Sequence, residues 1–360
     1  MIHRYSFFLL FALYLIFCIV SCAGCNLPYL NEKNTVSIVS YNVQNYFDTV
    51  SDGTEYPEYD PTKGEWSQTK LDIKTKHIAK AIKECTPGGP DIVTIQEIEN
   101  INALQYLIKN GLSNSGYSYS VTPRPSHTAT SIGILSRFPI TSLYTHAVTH
   151  PDGPPLRYII EATIEINDIT LVLFVNHWKS KLGGAEKTEK YRRSAAAVLN
   201  GRLEQIILQN PNSEICITGD MNENIDEYYL NEKTYYTAIL PYEELIGEKI
   251  NQSFVFTTDA EKAQFHATED GVIPVFYSPW NESEIKGSYA YQKKWTTPDH
   301  FFLSPGLLDN TGFYYKSFSV AKQEYLFTDE GFPKKWFNYK SSGYSDHLPI
   351  LLSLEFDPSQ

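Results

Sequence analysis

The sequence predicts an α/β protein with layered sheets. Three observations carry this: short runs rich in Val, Ile, Leu and Phe recur from residue 35 to the C-terminus, stretches of helical period lie between some of them, and polar residues able to bind metal or phosphate repeatedly stand where such a run ends. The predicted strands cover residues 36–40, 92–95, 132–135, 158–166, 170–175, 215–218, 300–303 and 348–354. Residues 158–166 alternate poorly and are followed by Asn167-Asp168 and a further apolar run, which predicts a tight hairpin between two mostly buried strands. Helical spacing marks 70–83, with Ile73, His77 and Ile78, and 186–208, with Ala196, Leu199, Leu203 and Ile206. Two stretches break this rhythm and are expected to be surface elaborations: the acidic, aromatic 48–66 and the irregular 227–295.

The N-terminus reads as an export signal, because His3 and Arg4 precede an unbroken apolar run from Phe7 to Val20 that falls short of the about 20 residues a spanning helix needs. Its ending, Ile19-Val20-Ser21-Cys22, resembles a bacterial lipobox, so residues 1–21 are expected to be removed and Cys22 to carry lipid. The expected protein is exported to a bacterial cell envelope and anchored to membrane, with a short tether over 22–34. No repeat or low-complexity linker divides the rest, and the chemistry runs from residue 42 to 347, so a single domain is expected over 35–358.

Export leaves Cys25, Cys85 and Cys216, which is no disulfide framework. Cys216, in the apolar run Ile215-Cys216-Ile217, reads as a small buried hydrophobe. The formal charge of −12 excludes a protein that holds nucleic acid on a broad basic surface but leaves room for a small basic cleft.

The strand ends carry the chemistry. The first strand runs into Tyr41-Asn42, the second into Gln96-Glu97, the fifth into Asn176-His177 and the sixth into Gly219-Asp220-Met221-Asn222, while Ser345-Asp346-His347 leads into the last. One polar residue at a strand end is an ordinary loop start; five carrying carboxylate, amide and imidazole point to a shared rim. Glu97 and Asp346, with the Asn42 amide, suit magnesium or manganese, which take a few carboxylates plus waters and substrate phosphate. The lack of clustered Cys and paired His argues against zinc. The acidic stretch Asp48, Asp52, Glu55, Glu58 and Asp60 lacks the Gly and Glu positions of an EF-hand, so a solvated loop rather than a structural calcium site is expected there.

The segments Ser40-Tyr41-Asn42-Val43-Gln44-Asn45, Ile95-Gln96-Glu97, Asn176-His177, Thr218-Gly219-Asp220-Met221-Asn222, Pro298-Asp299-His300 and Ser345-Asp346-His347-Leu348-Pro349 resemble, in order and character, the endonuclease/exonuclease/phosphatase superfamily of pancreatic deoxyribonuclease. The longer form Asn176-His177-Trp178-Lys179-Ser180-Lys181 and Ser288-Tyr289-Ala290-Tyr291 look like its bacterial exported, nuclease-like branch. The resemblance implies a four-layer α/β/β/α sandwich of two packed mixed sheets. It implies that Asn42, Glu97 and Asp346 bind the metal and that Asp220 orients or deprotonates the attacking water. It further implies that Asn222 contacts phosphate, that Asp299 holds His347, and that His347 and His177 stabilise charge or move a proton. Arg157 matches a phosphate-contacting arginine. In the deoxyribonuclease branch an acidic residue supports the first histidine; here the corresponding stretch reads His127-Thr128-Ala129-Thr130 and offers His177 no carboxylate.

The activity expected is metal-dependent hydrolysis of phosphodiesters by water, with nucleic acid as substrate. Signatures of inositol polyphosphate phosphatases are missing, and the export signal disfavours an intracellular repair enzyme. A sphingomyelinase-like phospholipid hydrolase is the alternative, and a non-catalytic surface lipoprotein on the same scaffold the second. Lys179 and Lys181, with Arg192 and Arg193, are candidates for a cationic lip, and Tyr289, Tyr291 and Trp295 for base stacking or packing. No protein partner is implied and a monomer is expected.

Overall fold

The computed structural model of the chain describes residues 34–357 apart from 127, 154–155, 246–251 and 269–270. The expected export signal, Cys22 and most of the tether lie outside the described residues, as does His127. The described chain builds two large sheets. The first has the order β16-β17-β1-β2-β4-β3, from β1 (Thr35–Tyr46), β2 (Ile92–Ile98), β3 (Tyr119–Val121), β4 (Ser131–Ser136), β16 (Phe313–Val320) and β17 (Ile350–Phe356). The second has the order β5-β6-β7-β8-β15-β12-β10-β9. Its strands are β5 (Ile140–His146), β6 (Ile159–Ile166), β7 (Ile169–His177), β8 (Ile215–Asp220), β9 (Ile239–Pro241), β10 (Phe254–Thr257), β12 (Gly271–Tyr277) and β15 (Asp299–Leu303), with β11 (Phe265–Thr268) paired to β12. A separate ribbon joins β13 (Tyr289–Tyr291) to β14 (Lys294–Thr296). Helices α1 (Gln68–Lys83), α2 (Ile101–Gly111) and α3 (Ala185–Gln209) complete the α/β sandwich.

Central strands are apolar on both faces because each face packs on a different layer. Leu173, Cys216 and Phe301 point into the core shared with Val39 and Ile95, while their neighbours Phe174, Ile217 and Phe302 pack with Leu199 and Leu203 of α3. Cys216 is thus the buried hydrophobe its sequence suggests. The β6–β7 hairpin turns at Asn167 and Asp168, both in the left-handed region that a two-residue turn needs.

The stretch 227–295 is corrected by the structure. It is no surface elaboration: it supplies β9 to β13, and Phe254 and Phe276 are wholly buried. Its strands are too short, and too interrupted by charged loops, for the alternation to register. Residues 48–66 form an ordered flap of short 3₁₀ turns, in which Tyr59 stacks on Phe47 at 4.9 Å and the Trp66 indole N–H donates to Asp48 O at 2.7 Å.

Candidate active site

Sheet register creates the site. In parallel β7 and β8, His177 stands beside Asp220; in antiparallel β8 and β15, Asp220 stands beside Asp299. Three sequence-distant groups therefore share one edge of one sheet. Gly219 makes this edge possible: at φ +128° a Cβ there would lie 2.0 Å from Asn176 O, so β7 and β8 approach too closely for any other residue.

The other sheet faces this edge with irregular strand ends. Register shifts interrupt the β1–β2 and β2–β4 pairings around Glu97, and Gln44, Asn45 and Glu97 take positive φ of 50°, 62° and 63°. Such bulges re-aim side chains. Asn45 N–H donates to Glu97 Oε2 at 2.9 Å, and the Asn42 amide donates to both Glu97 Oε1 at 3.1 Å and Asp220 Oδ2 at 3.0 Å, joining the sheets. Gln44 fixes the third strand end: its side-chain Oε1 accepts from Asp346 N at 3.0 Å and from Trp336 N at 2.7 Å.

Asp220 Oδ2 is the hub. His177 Nε2 lies 3.7 Å and His347 Nε2 4.0 Å from it, and His177 Nε2 lies 3.9 Å from Glu97 Oε1. Behind His347, Nδ1–H donates to Asp299 Oδ2 at 2.7 Å; the same oxygen accepts from Ser288 Oγ at 2.5 Å. The Tyr289 ring packs over His347 at 4.7 Å. Burial opposes a charged His347, but Asp299, then Asp220 and Asp346, outweigh it and push His347 up to about 10, so it is an imidazolium at neutral pH. Burial, then Asp299 and Glu97, raise Asp220 to about 7 against the pull of His347. His177 is the opposite case: burial, then the cations Arg157, His347 and Lys179, hold it well below the ordinary imidazole range. Its Nδ1 has no hydrogen-bond partner among the described residues, in keeping with the missing carboxylate.

Two cations flank His177. Arg157, before β6, donates to Thr130 Oγ1 at 3.3 Å, and its buried Nε has no partner among the described residues. Lys179 reaches Ser180 Oγ at 3.3 Å and no described carboxylate. Asn222, at φ 54°, donates its amide to Trp178 O at 3.2 Å, which leaves its side-chain oxygen and second N–H available for other partners. The expected cationic lip shrinks, however. Lys181 is paired with Glu227 at 2.5 Å, and Arg192 is wholly buried between Glu189 and Glu223 at 2.6 and 2.9 Å because α3 turns it inward. Tyr291 is exposed, whereas Trp295 packs on Phe332.

Lys74 of α1 was not legible as a site residue. It is wholly buried, donates to the carbonyls of Gln44 and, at 3.1 Å, Asn45, and sits near the Tyr59 and Trp336 rings. Burial pushes it down to about 7 although Glu97 and Asp346 pull upward. With Lys74 turned to backbone, Glu97 and Asp346 face each other's charge, and burial together with Glu97 raises Asp346. One ligand atom each of Glu97, His177 and Asp220 lies within 4.8 Å of the others, and carboxylate oxygens there, with the Asp346 carboxyl that Glu97 raises, fit a hard divalent cation.

An edge where two sheets present carboxylates, imidazoles and unpaired cations defines a phosphoesterase-type site. The sequence itself agrees: residues 37–238 match the Endonuclease/Exonuclease/phosphatase family, and the chain belongs to that family, whose members are phosphoester hydrolases. Solved structures share the fold. A Bacteroides thetaiotaomicron protein of the same family superposes with TM-score 0.53 at 14% identity, covering 91% of this chain and 96% of its own. Truncated Caenorhabditis elegans TDP2 gives 0.52 at 14% identity, covering 89% and 97%, and D. rerio TDP2 complexed with single strand DNA product gives 0.50 at 15%, covering 89% and 99%. No protein of curated function matches the sequence.

Proposed function

We propose that this protein is an exported, lipid-anchored phosphodiesterase of the bacterial envelope that cleaves nucleic acid with a magnesium- or manganese-assisted water. The observation that carries the reading is the convergence of Asn42, His177 and His347 on Asp220 Oδ2, beside Glu97 and between the unpaired cations Arg157 and Lys179. Asp220, raised toward neutrality, is matched to take a proton from water as the water oxygen bonds to phosphorus and the P–O bond to the leaving group breaks, the departing oxygen taking a proton from the His347 imidazolium. The His347 imidazolium and Arg157 oppose the charge that grows on the phosphoryl oxygens, and Asn222 orients them. Glu97 and Asp346, with Asn42 supporting Glu97, would hold a divalent cation, which would supply Lewis-acid polarisation of a phosphoryl oxygen.

Nucleic acid is favoured over phospholipid by the exposed Tyr291, a stacking surface on the same short strand as Tyr289, whose ring packs over His347. One similar structure, D. rerio TDP2, is complexed with single strand DNA product, which supports the same class. The test is hydrolysis of single- and double-stranded DNA, RNA, sphingomyelin and an aryl phosphodiester by the purified domain. Cleavage of a nucleic acid that requires added magnesium or manganese and is reversibly abolished by chelation is expected. Preference for sphingomyelin overturns the substrate class, and full activity after exhaustive chelation overturns the metal.

A further inference from the structure

A second group of oxygen donors lies where the flap 48–66 meets the end of β2. Glu99, just after β2, is wholly buried. Its N–H donates to Tyr46 O at 2.9 Å and its Oε2 accepts from Asp48 N at 2.7 Å, but its buried Oε1 accepts no hydrogen bond from any described residue. A bare carboxylate oxygen removed from water calls for a cation or a donor. The flap brings Asp52 and Glu55 to Glu99, so that one carboxylate oxygen from each of the three residues lies within 4.8 Å of the others.

These three carboxylates are pre-shaped. Asp52 Oδ1 accepts from Thr54 N at 3.0 Å and Thr54 Oγ1 at 2.6 Å, while Glu55 accepts from Gly53 N at 2.9 Å and from Asp52 N. Asp48 stands behind, with Oδ1 accepting from Val50 N at 2.7 Å and Oδ2 from the Asn100 amide at 3.1 Å. The cation seen here is Arg124, which pairs with Asp52 and donates to Thr54 Oγ1 at 3.2 Å. Among the described residues it contacts neither Glu55 nor Glu99. Arg124 therefore answers Asp52 alone, and Glu99 Oε1 is left without a donor among the described residues.

We propose that Asp52, Glu55 and Glu99 form a calcium-binding site, separate from the catalytic centre and independent of the activity proposed above. The donors are all oxygen, which disfavours zinc. Two come from a partly exposed turn that admits several waters without imposing a regular octahedron, which suits calcium better than magnesium. The ion would rivet the flap to the residue two positions beyond Glu97, holding Tyr59 and Trp66 over the end of β1.

The test is thermal unfolding and calorimetric titration of the chelator-treated protein with calcium chloride, performed in Glu97→Gln so that the catalytic centre does not confuse the signal. Calcium at about a hundred times its dissociation constant is expected to raise Tm on the order of 5 °C. Adding Glu99→Gln should abolish the shift. Should that variant fail to fold, Glu55→Gln on the flap should weaken calcium binding at least about tenfold. No calcium-dependent shift in Glu97→Gln, or a shift untouched by Glu55→Gln and Glu99→Gln, overturns the site. A magnesium shift as large as that of calcium at equal concentration overturns the choice of ion.

Discussion

Replacing Asp299 tests the reasoning about His347 most directly. The contact is a charge-assisted hydrogen bond at 2.7 Å between groups that are 1% and 9% exposed, so solvent screens it little. Such a bond contributes about 1.5–3 kcal/mol, and its loss corresponds to roughly ten- to hundredfold in rate where the imidazolium faces charge that appears only in the transition state. An unperturbed imidazole near 6.5 is mostly neutral at pH 7.5, whereas His347, at about 10, is almost wholly charged. Asp299→Asn keeps the shape, can still accept from Nδ1–H, and removes the charge; the Asp220 and Asp346 charges keep part of the effect. The expected result is a fall in kcat on an aryl phosphodiester within that range with KM little changed, and for His347→Ala a fall of at least about a hundredfold. The double variant should be scarcely worse than His347→Ala, because Asp299 acts through the imidazole. Multiplicative losses in steady-state kinetics would refute this and give Asp299 a role of its own.

Three further expectations follow from other parts of the molecule. Lys74→Met should destabilise the fold by about 1–3 kcal/mol in denaturant unfolding, since two carbonyls of the β1 bulge lose their donor; an unchanged midpoint would show that the lysine is dispensable. At Glu161, burial raises the carboxyl, but the hydrogen bonds of Arg202 and His146 prevail and bring it from 4.5 down to about 2. A depressed carboxyl contributes stability that is present above its unfolded value and lost as pH falls through the folded one, so Glu161→Gln should lose about 2 kcal/mol at pH 7 and converge with the parent protein between pH 4.5 and 2. A pH-independent difference would refute the ion-pair origin. Cys22→Ser should release the protein from membranes or leave its precursor uncut, and mass spectrometry finding an unmodified N-terminus elsewhere would remove the lipid anchor.

The sequence by itself determined the α/β class, the hairpin at Asn167-Asp168 and the positions where chemistry stands, because strand ends and helical spacing are local patterns. Eight strands were legible for the same reason, with boundaries a few residues short wherever polar site residues continue the strand, as Asn42 does in β1 and His177 in β7. The short strands β9 to β12 and the edge strands β5 and β16 were not, since their pairing is decided by neighbours distant in sequence. Family resemblance linked Asp299 to His347, but only the register of β7, β8 and β15 sets His177, Asp220 and Asp299 side by side. Lys74 and Arg192 show the limit most plainly. Helical spacing did not single out Lys74, and Arg192 was read as a candidate for a cationic lip, yet tertiary packing buried the first beneath the β1 bulge and the second between two glutamates. Glu99 likewise gained its meaning only when the flap folded back over β2, because which oxygen stays bare is a property of what packs around it.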